Sequence, residues 1–571
     1  MKGIAKYSFF EAGFNAKFDG NPFDVPFAAE IIQPDGRKKI VQGFYDGDGA
    51  FVFRFMPQAE GEYHYITKSD ITELNGHRGI FQCIEADGDS HGMVQVKGKY
   101  WFAYQDGTSY FDAGTTCYAW IHQAKHLQAQ TLDTLSRGYF SKLRFCVFPK
   151  WYEQNHHQPE VYPFEGSLET GFDYDKPNVT FFRHLDDCVA KLQRLGIQAD
   201  IILFHPYEAD NWRFNYMTEE QDRRYLRYIV ARLSAYSNVW WSLANEYDLI
   251  RNGYKKRQSA WKKLIRFVRE QDSYGHLVSI HQMEKMYDHR DSNLTHSSIQ
   301  RTEMFLTAEY TDYWREKFGK PVVIDECVYE GNLNAWWGGI TAQELVRRFW
   351  EAVARGGFLG HSEAYIGENI WWSHGGVLKG ESQERIKFLR SVMENCPNIR
   401  FLSESGTNNI ARAIAGTDSQ IVYFGFYQPM CYTMHMLGGG SFRVQIIDTW
   451  NMIIEELPHP VQGCANIPLP GKPYMAILCT ALEPGEEQSF TRDSVLEQMK
   501  LTPGGRRLLK LLKKLVPRYY SGMLSLTINE CSTQAGGILD GKAGDGILRI
   551  VNENKFWQGL YQIITAILLR R

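Results

Sequence analysis

A central (β/α)8 TIM barrel flanked by two β-sandwich domains, with a small helical segment at the C-terminus, is the multidomain α/β plus all-β class that the sequence predicts. Three observations carry it. Short apolar runs alternate with helical periodicity from about residue 100 to 400, the mark of repeated βα units. Strand-like, turn-punctuated stretches stand before and after that region. Neither a GxGxxG pattern nor a P-loop follows its first strand, which disfavours a doubly wound nucleotide-binding sheet. The expected boundaries are 1–90 for an Ig-like N-terminal sandwich, 91–402 for the barrel, 403–485 for a second sandwich and 486–571 for a mainly helical extension.

In the N-terminal sandwich, Phe51, Phe53 and Phe55 alternate with Val52, Arg54 and Met56, between the turn signals Pro34-Asp35-Gly36 and Asp46-Gly47-Asp48-Gly49. One βα unit shows the logic of the barrel. Leu185, Cys188, Val189, Leu192 and Leu195 form a helical stripe, Gly196 suits the C′ position, and Ala199 to Phe204 reads as a buried strand. Helices open with capping-box patterns at Thr218 to Gln221 and Thr341 to Glu344. Eight barrel strands are expected: Phe111 to Cys117, Leu143 to Phe148, Ile201 to Phe204, Val239 to Leu243, Leu277 to His281, Leu294 to Ser298, Val322 to Asp325 and Phe358 to Glu363. Strands return at Ile421 to Phe426, Tyr432 to Met436, Phe442 to Ile447 and Tyr474 to Leu478. The basic amphipathic stretch Leu508 to Leu515 reads as a packed helix with solvated lysines.

At 571 residues the chain exceeds a single core, and 63 Lys+Arg against 66 Asp+Glu give no electrostatic case for nucleic acid or an anionic membrane. Aromatics reach 14%, which suits large cores and equally suits stacking on sugar rings. Ten cysteines stand singly with no CxxC pair, and neither a secretory h-region nor a membrane-length apolar run is visible. A cytoplasmic protein is the expected setting, with no cofactor implied. Oligomeric state is not encoded in any motif.

In a barrel, informative residues lie at the C-terminal ends of strands, where the βα loops build the site. Strand four ends Ser242-Leu243-Ala244-Asn245-Glu246, and strand seven ends Val323-Ile324-Asp325-Glu326-Cys327. Two carboxyl groups flanking one bond are what glycoside hydrolysis needs, one protonated to assist the leaving oxygen and one ionised to attack carbon. Asp325 and Glu330 are alternative nucleophiles, although strand alternation should turn Asp325 away from the side that Glu326 faces.

An Asn-Glu ending strand four, with a Glu ending strand seven, resembles clan A of the retaining (β/α)8 glycoside hydrolases. That resemblance implies Glu246 as general acid/base, Asn245 as partner of the sugar 2-hydroxyl and Glu326 as nucleophile. Gly43 to Gly49, Arg54 to Pro57, Phe111 to Trp120 and Ile447 to Met452 further resemble the apiosidase-like glycosidases with their sandwich modules. One departure stands out: clan members place a Tyr beside the nucleophile from strand six, which here reads Leu294-Thr295-His296-Ser297-Ser298. His296 or Tyr329 takes that role, or the strand count is off by one.

His205, His281, His296 and His361 also fall at or beyond strand ends. A metal-dependent hydrolase would use such histidines but wants closely spaced ligands, so hydrogen bonding to sugar or carboxylate is the preferred role and no metal is assigned. Trp120, Trp151, Trp212, Trp241, Trp336, Trp337, Trp371 and Trp372 belong to the rim region, about half of them for packing. Trp120 and Trp151 are expected at the substrate, and Trp372 is the stacking platform that the resemblance implies. The predicted activity is that of a retaining, exo-acting β-glycosidase on small glycosides. The alternatives are a carbohydrate-binding barrel that has lost catalysis and a metal-dependent hydrolase.

Overall fold

The computed structural model describes residues 3–249, 256–396, 411–415, 419–436, 440–482, 492, 496–534, 541–553 and 555–568. The chain forms two compact units, Met1–Glu394 and Asn395–Arg571. In the first, eight parallel strands make the barrel: β1 (Ala113–Thr116), β2 (Lys142–Cys146), β3 (Gln198–Phe204), β4 (Val239–Ala244), β5 (Val278–Ser279), β6 (Ser297–Gln300), β7 (Val322–Glu326) and β8 (Phe358–His361). Ladders run β5-β4-β3-β2-β1-β8-β7-β6. Between β5 and β6, Thr295 carries the seam: its amide donates to the Val278 carbonyl at 2.9 Å, and its hydroxyl accepts from the Val278 amide at 2.8 Å.

All eight expected strands have a counterpart, but β6 starts and ends two to three residues later than read, at Ser297 and Gln300. The local signals explain much of the rest. Asn178 caps the helix Val179–Arg194, and Gly196 takes the left-handed φ of 69° that ends it. The capping box at Thr218 is complete. At Thr341 only half forms, because the Glu344 carboxylate pairs with Arg347 and Arg348.

The barrel interior departs from the aliphatic filling usual for this fold. Lys142 Nζ lies 2.7 Å from Asp112 and 3.5 Å from Asp325, and an Arg144 Nη lies 3.1 Å from Asp200. All five side chains are buried. Burial opposes the charge on Asp325, yet Lys142 and Arg144 outweigh it and hold that carboxyl well below the usual range. The hairpin Val94–Lys97 with Trp101–Tyr104 packs at the strands' N-terminal ends, where Phe102 meets Trp240, His296 and Phe358.

The N-terminal sandwich pairs a five-stranded sheet with a three-stranded one around Phe27, Ile31, Phe51, Phe53, Phe55 and Tyr63. Its alternating strand Ala50–Phe55 is buried on both faces. The second face meets barrel helices: Arg54 forms a two-point ion pair with Asp186, 3.0 Å at each contact, and donates to the Arg232 carbonyl at 2.7 Å. An arginine in a strand therefore marks a docking surface here.

The second unit holds an antiparallel sheet with core residues Val422, Val444, Ile467 and Ile477. A separate helical core joins Leu508, Leu509, Ile528, Ile547 and Ile550. Helix Pro503–Leu515 buries Leu508 and Leu509 while Lys510, Lys513 and Lys514 stay exposed. No helix among the described residues is long and apolar enough to cross a membrane.

Candidate active site

At the C-terminal ends of the strands a cavity of about 480 Å³ opens, lined by Tyr118, Lys150, Tyr207, Asn245, Glu246, Gln300, Glu326, Tyr329 and the tryptophans 151, 336, 337 and 372. The two acids reach it by different backbone devices. Beyond β4 the ladder runs on through Asn245, whose amide donates to the Phe204 carbonyl at 2.9 Å. Glu246 then adopts a left-handed φ of 46°, a strain of about 1 to 3 kcal/mol that strand geometry alone would not impose. At β7 the register with β6 slips, Ile299 facing Ile324 but Gln300 facing Glu326. Alternation is thereby broken: Asp325 joins the charged layer beneath, bonded by the Ser298 hydroxyl at 2.5 Å, while Glu326 lines the cavity.

Arg144 rises from mid-β2 to order this floor. It donates to Asn245 Oδ1 at 2.9 Å and to Ser242 Oγ at 3.0 Å. Because arginine only donates, the contact fixes which end of the Asn245 amide is oxygen, and Asn245 Nδ2 donates to Tyr207 Oη at 3.0 Å. The Tyr118 hydroxyl, two residues past the end of β1 at Thr116, donates to Glu326 and lies 3.4 Å from Asn245 Oδ1. Lys150 Nζ is 3.3 Å from the Glu208 carboxylate, which also pairs with His205 at 2.8 Å.

These surroundings separate the two acids electrostatically. Burial, and then the charge of Glu326, push Glu246 up to about 8. Burial raises Glu326 too, but the Tyr118 hydroxyl, Arg144 and Lys150 all favour its ionised form. One proton shared between the pair therefore resides on Glu246.

The catalytic-domain model of the apiosidase-like family matches residues 96–397. This chain belongs to the apiosidase-like family of glycoside hydrolases. Two domains of unknown function flank that match in this apiosidase-like protein, DUF5060 over residues 3–70 and DUF5605 over 410–480. A candidate glycoside hydrolase of Bacteroides vulgatus is 35% identical to it, covers 84% of this chain and 100% of its own, and superposes with a TM-score of 0.80. A family 5 glycoside hydrolase of the same species shares the fold at 13% identity and a TM-score of 0.52, covering 70% of this chain and 95% of its own. No curated protein matches significantly.

The apiosidase-like barrel brings together Glu246, Glu326, Asn245, Tyr329, Trp151 and Trp372 around the cavity. Trp372 packs 4.4 Å from Trp337 and edge-on to Tyr118 at 5.6 Å. His281 stands behind the pair, its Nε2 4.0 Å from Glu326, and burial keeps it neutral. His205 supports from one layer back, its Nε2 donating to the Phe148 carbonyl at 3.1 Å and its Nδ1 standing 2.8 Å from Glu208.

Two expected residues lie elsewhere. Since β6 begins at Ser297, His296 precedes the strand and sits at the barrel's opposite end against Phe102 and Trp240. Trp120 is fully buried, edge-on to Phe145 and bonded to the Gln128 carbonyl at 3.3 Å, so it packs the core. Tyr118, Arg144, Lys150, Tyr207, Glu208 and Gln300 were not read as site residues. An arginine inside a buried strand was the available signal for one, and a β6 ending at Gln300 for another.

Replacing Glu326 with Gln should lower the titration midpoint of Glu246 from about 8, since the neighbouring negative charge that raises it is gone. Carboxyl infrared bands followed across pH 5 to 9, with Glu246→Gln as the reference, provide the measurement. An unmoved midpoint would uncouple the pair.

Proposed function

We propose that this enzyme is a retaining, exo-acting β-glycosidase that hydrolyses small glycosides by double displacement. The observation that carries the reading is the opposed environment of two acids in one cavity: Glu246 held protonated to about pH 8, and Glu326 facing the Tyr118 hydroxyl, Arg144 and Lys150. In the first step a Glu326 oxygen bonds to the anomeric carbon as the glycosidic C–O bond breaks, and the Glu246 proton passes to the leaving oxygen. Esterified Glu326 no longer carries charge, so the Glu246 pKa falls and its carboxylate takes a proton from water. That water oxygen bonds to the anomeric carbon and frees Glu326. Asn245, with its oxygen committed to Arg144 and one amide hydrogen to Tyr207, has a second amide hydrogen left for the sugar 2-hydroxyl.

The exo reading rests on the start of the loop after β2. Its first part, Lys150 to Gln154, lines the cavity. The remainder turns away: the hairpin Phe164–Ser167 with Gly171–Pro177 packs on Phe214 and Tyr225, and the Asp175 carbonyl bonds to Asn21 of the sandwich. A cytoplasmic setting is proposed with it, supported by the exposed free thiols of Cys431 and Cys464, which a reducing compartment preserves.

Glu326→Ala should abolish turnover of every substrate. Glu246→Ala should lose about 10² to 10⁴-fold on poor leaving groups, spare glycosylation by activated aryl glycosides and be rescued by azide, which needs no base. Equal losses with no azide product would overturn the roles. On an accepted oligosaccharide, monosaccharide alone should form at early times; a ladder of intermediate sizes would mean an open groove.

A further inference from the structure

Behind the cavity, a second group of buried acids is unused by the reaction. Glu330, one residue after Tyr329, pairs in register with Glu363 through short parallel strands, Glu330–Gly331 and Glu363–Ala364. His361, the last residue of β8, completes the group, and ligand atoms of all three lie within 4.8 Å of one another. All three side chains are buried, at no more than 1% exposure. We propose that Glu330, His361 and Glu363 bind one divalent cation of the zinc or manganese class, which clamps the loop after β7 to the end of β8.

His361 Nε2 is buried with no hydrogen-bond partner, and it points at Glu363 Oε1 from 4.0 Å. That gap is too long for a hydrogen bond but suits two ligands of one ion, which stand at most about 4.2 Å apart when each is about 2.1 Å from the metal. His361 Nδ1 lies 2.9 Å from Thr115 Oγ1, so a proton on Nδ1 donated there leaves the Nε2 lone pair free.

The carboxylates are cradled but not neutralised. Backbone amides of Lys379 and Gly380 donate to Glu363, and those of Glu381 and Ser382 to Glu330, one amide per oxygen. The Tyr365 hydroxyl also donates to Glu330 Oε1 at 2.7 Å, so Glu330 Oε2 and both Glu363 oxygens are the ones that keep a second lone pair. Among the described residues no lysine or arginine ion-pairs with either acid. Two such carboxylates with one bare imidazole nitrogen form a mixed N,O donor set that borderline divalent metals favour. At Gly380 a Cβ would lie 2.4 Å from Glu330 Oε1, so glycine there keeps the cradle open.

The test is independent of the glycosidase reading because it reads metal content. Full-length protein stripped with EDTA is titrated with Zn²⁺ alone and Mn²⁺ alone by calorimetry, with elemental analysis after dialysis. One equivalent per chain is expected, with affinity falling about 100-fold or more in His361→Ala and in the isosteric Glu363→Gln. Pulsed EPR of the Mn²⁺-loaded wild type should show one coupled histidine nitrogen, a readout that holds even if a variant does not fold. No uptake by the wild type, affinity unchanged in both variants, or absence of nitrogen coupling would each overturn the site.

Discussion

The buried guanidinium of Arg144 is the constraint on which the rest of the site depends. It sits mid-strand in β2 with Asp200 on one side, Ser242 and Asn245 on another, and Asp325 at 4.0 Å. Isolated, a cation there would cost several kcal/mol in lost hydration, and so would each carboxylate around it. Together they form a network in which every member has a partner and removal of any one strands another. The network thus fixes the Asn245 amide by chemistry, and through Asn245 and Tyr118 it fixes the surroundings of Glu326. Function rests on a floor of charge where a barrel of this kind ordinarily has aliphatic side chains.

That floor also explains how two glutamates in one cavity come to differ. Both are buried, and burial alone would raise both alike. Lys150 draws on both, but the positive charge of Arg144 and the Tyr118 hydroxyl fall on Glu326, leaving Glu246 to bear the repulsion. The left-handed backbone at Glu246 and the register slip at β7 are the geometric counterparts of this division. Each re-aims a carboxylate that regular strand geometry would send elsewhere, a common use of local strain at working sites.

Much of the architecture was legible because it is written in local signals. Strand runs, the Gly196 helix end and the Thr218 capping box depend on a few neighbouring residues, and Glu246, Glu326 and Asn245 stand where apolar runs meet loops. What escaped depends on distant partners. The Tyr beside Glu326 comes from the end of β1 and not from β6, and only closure of the barrel brings it there. His296 was misplaced because the boundary of β6 was read early, which exchanges one end of the barrel for the other. Arg54 in an alternating strand is buried against Asp186, on a helix 132 positions later, a partner that no local pattern announces.

The central claim is that Glu326 bonds covalently to the sugar. Incubation with a 2-deoxy-2-fluoro aryl β-glycoside of an accepted sugar, which slows release of the intermediate more than its formation, followed by intact mass and peptide mapping, tests it directly. The account predicts one sugar per chain, attached to Glu326 and absent in Glu326→Gln. A label on Asp325, Glu330 or any other residue, or no adduct while the aryl glycoside is still turned over, would contradict it.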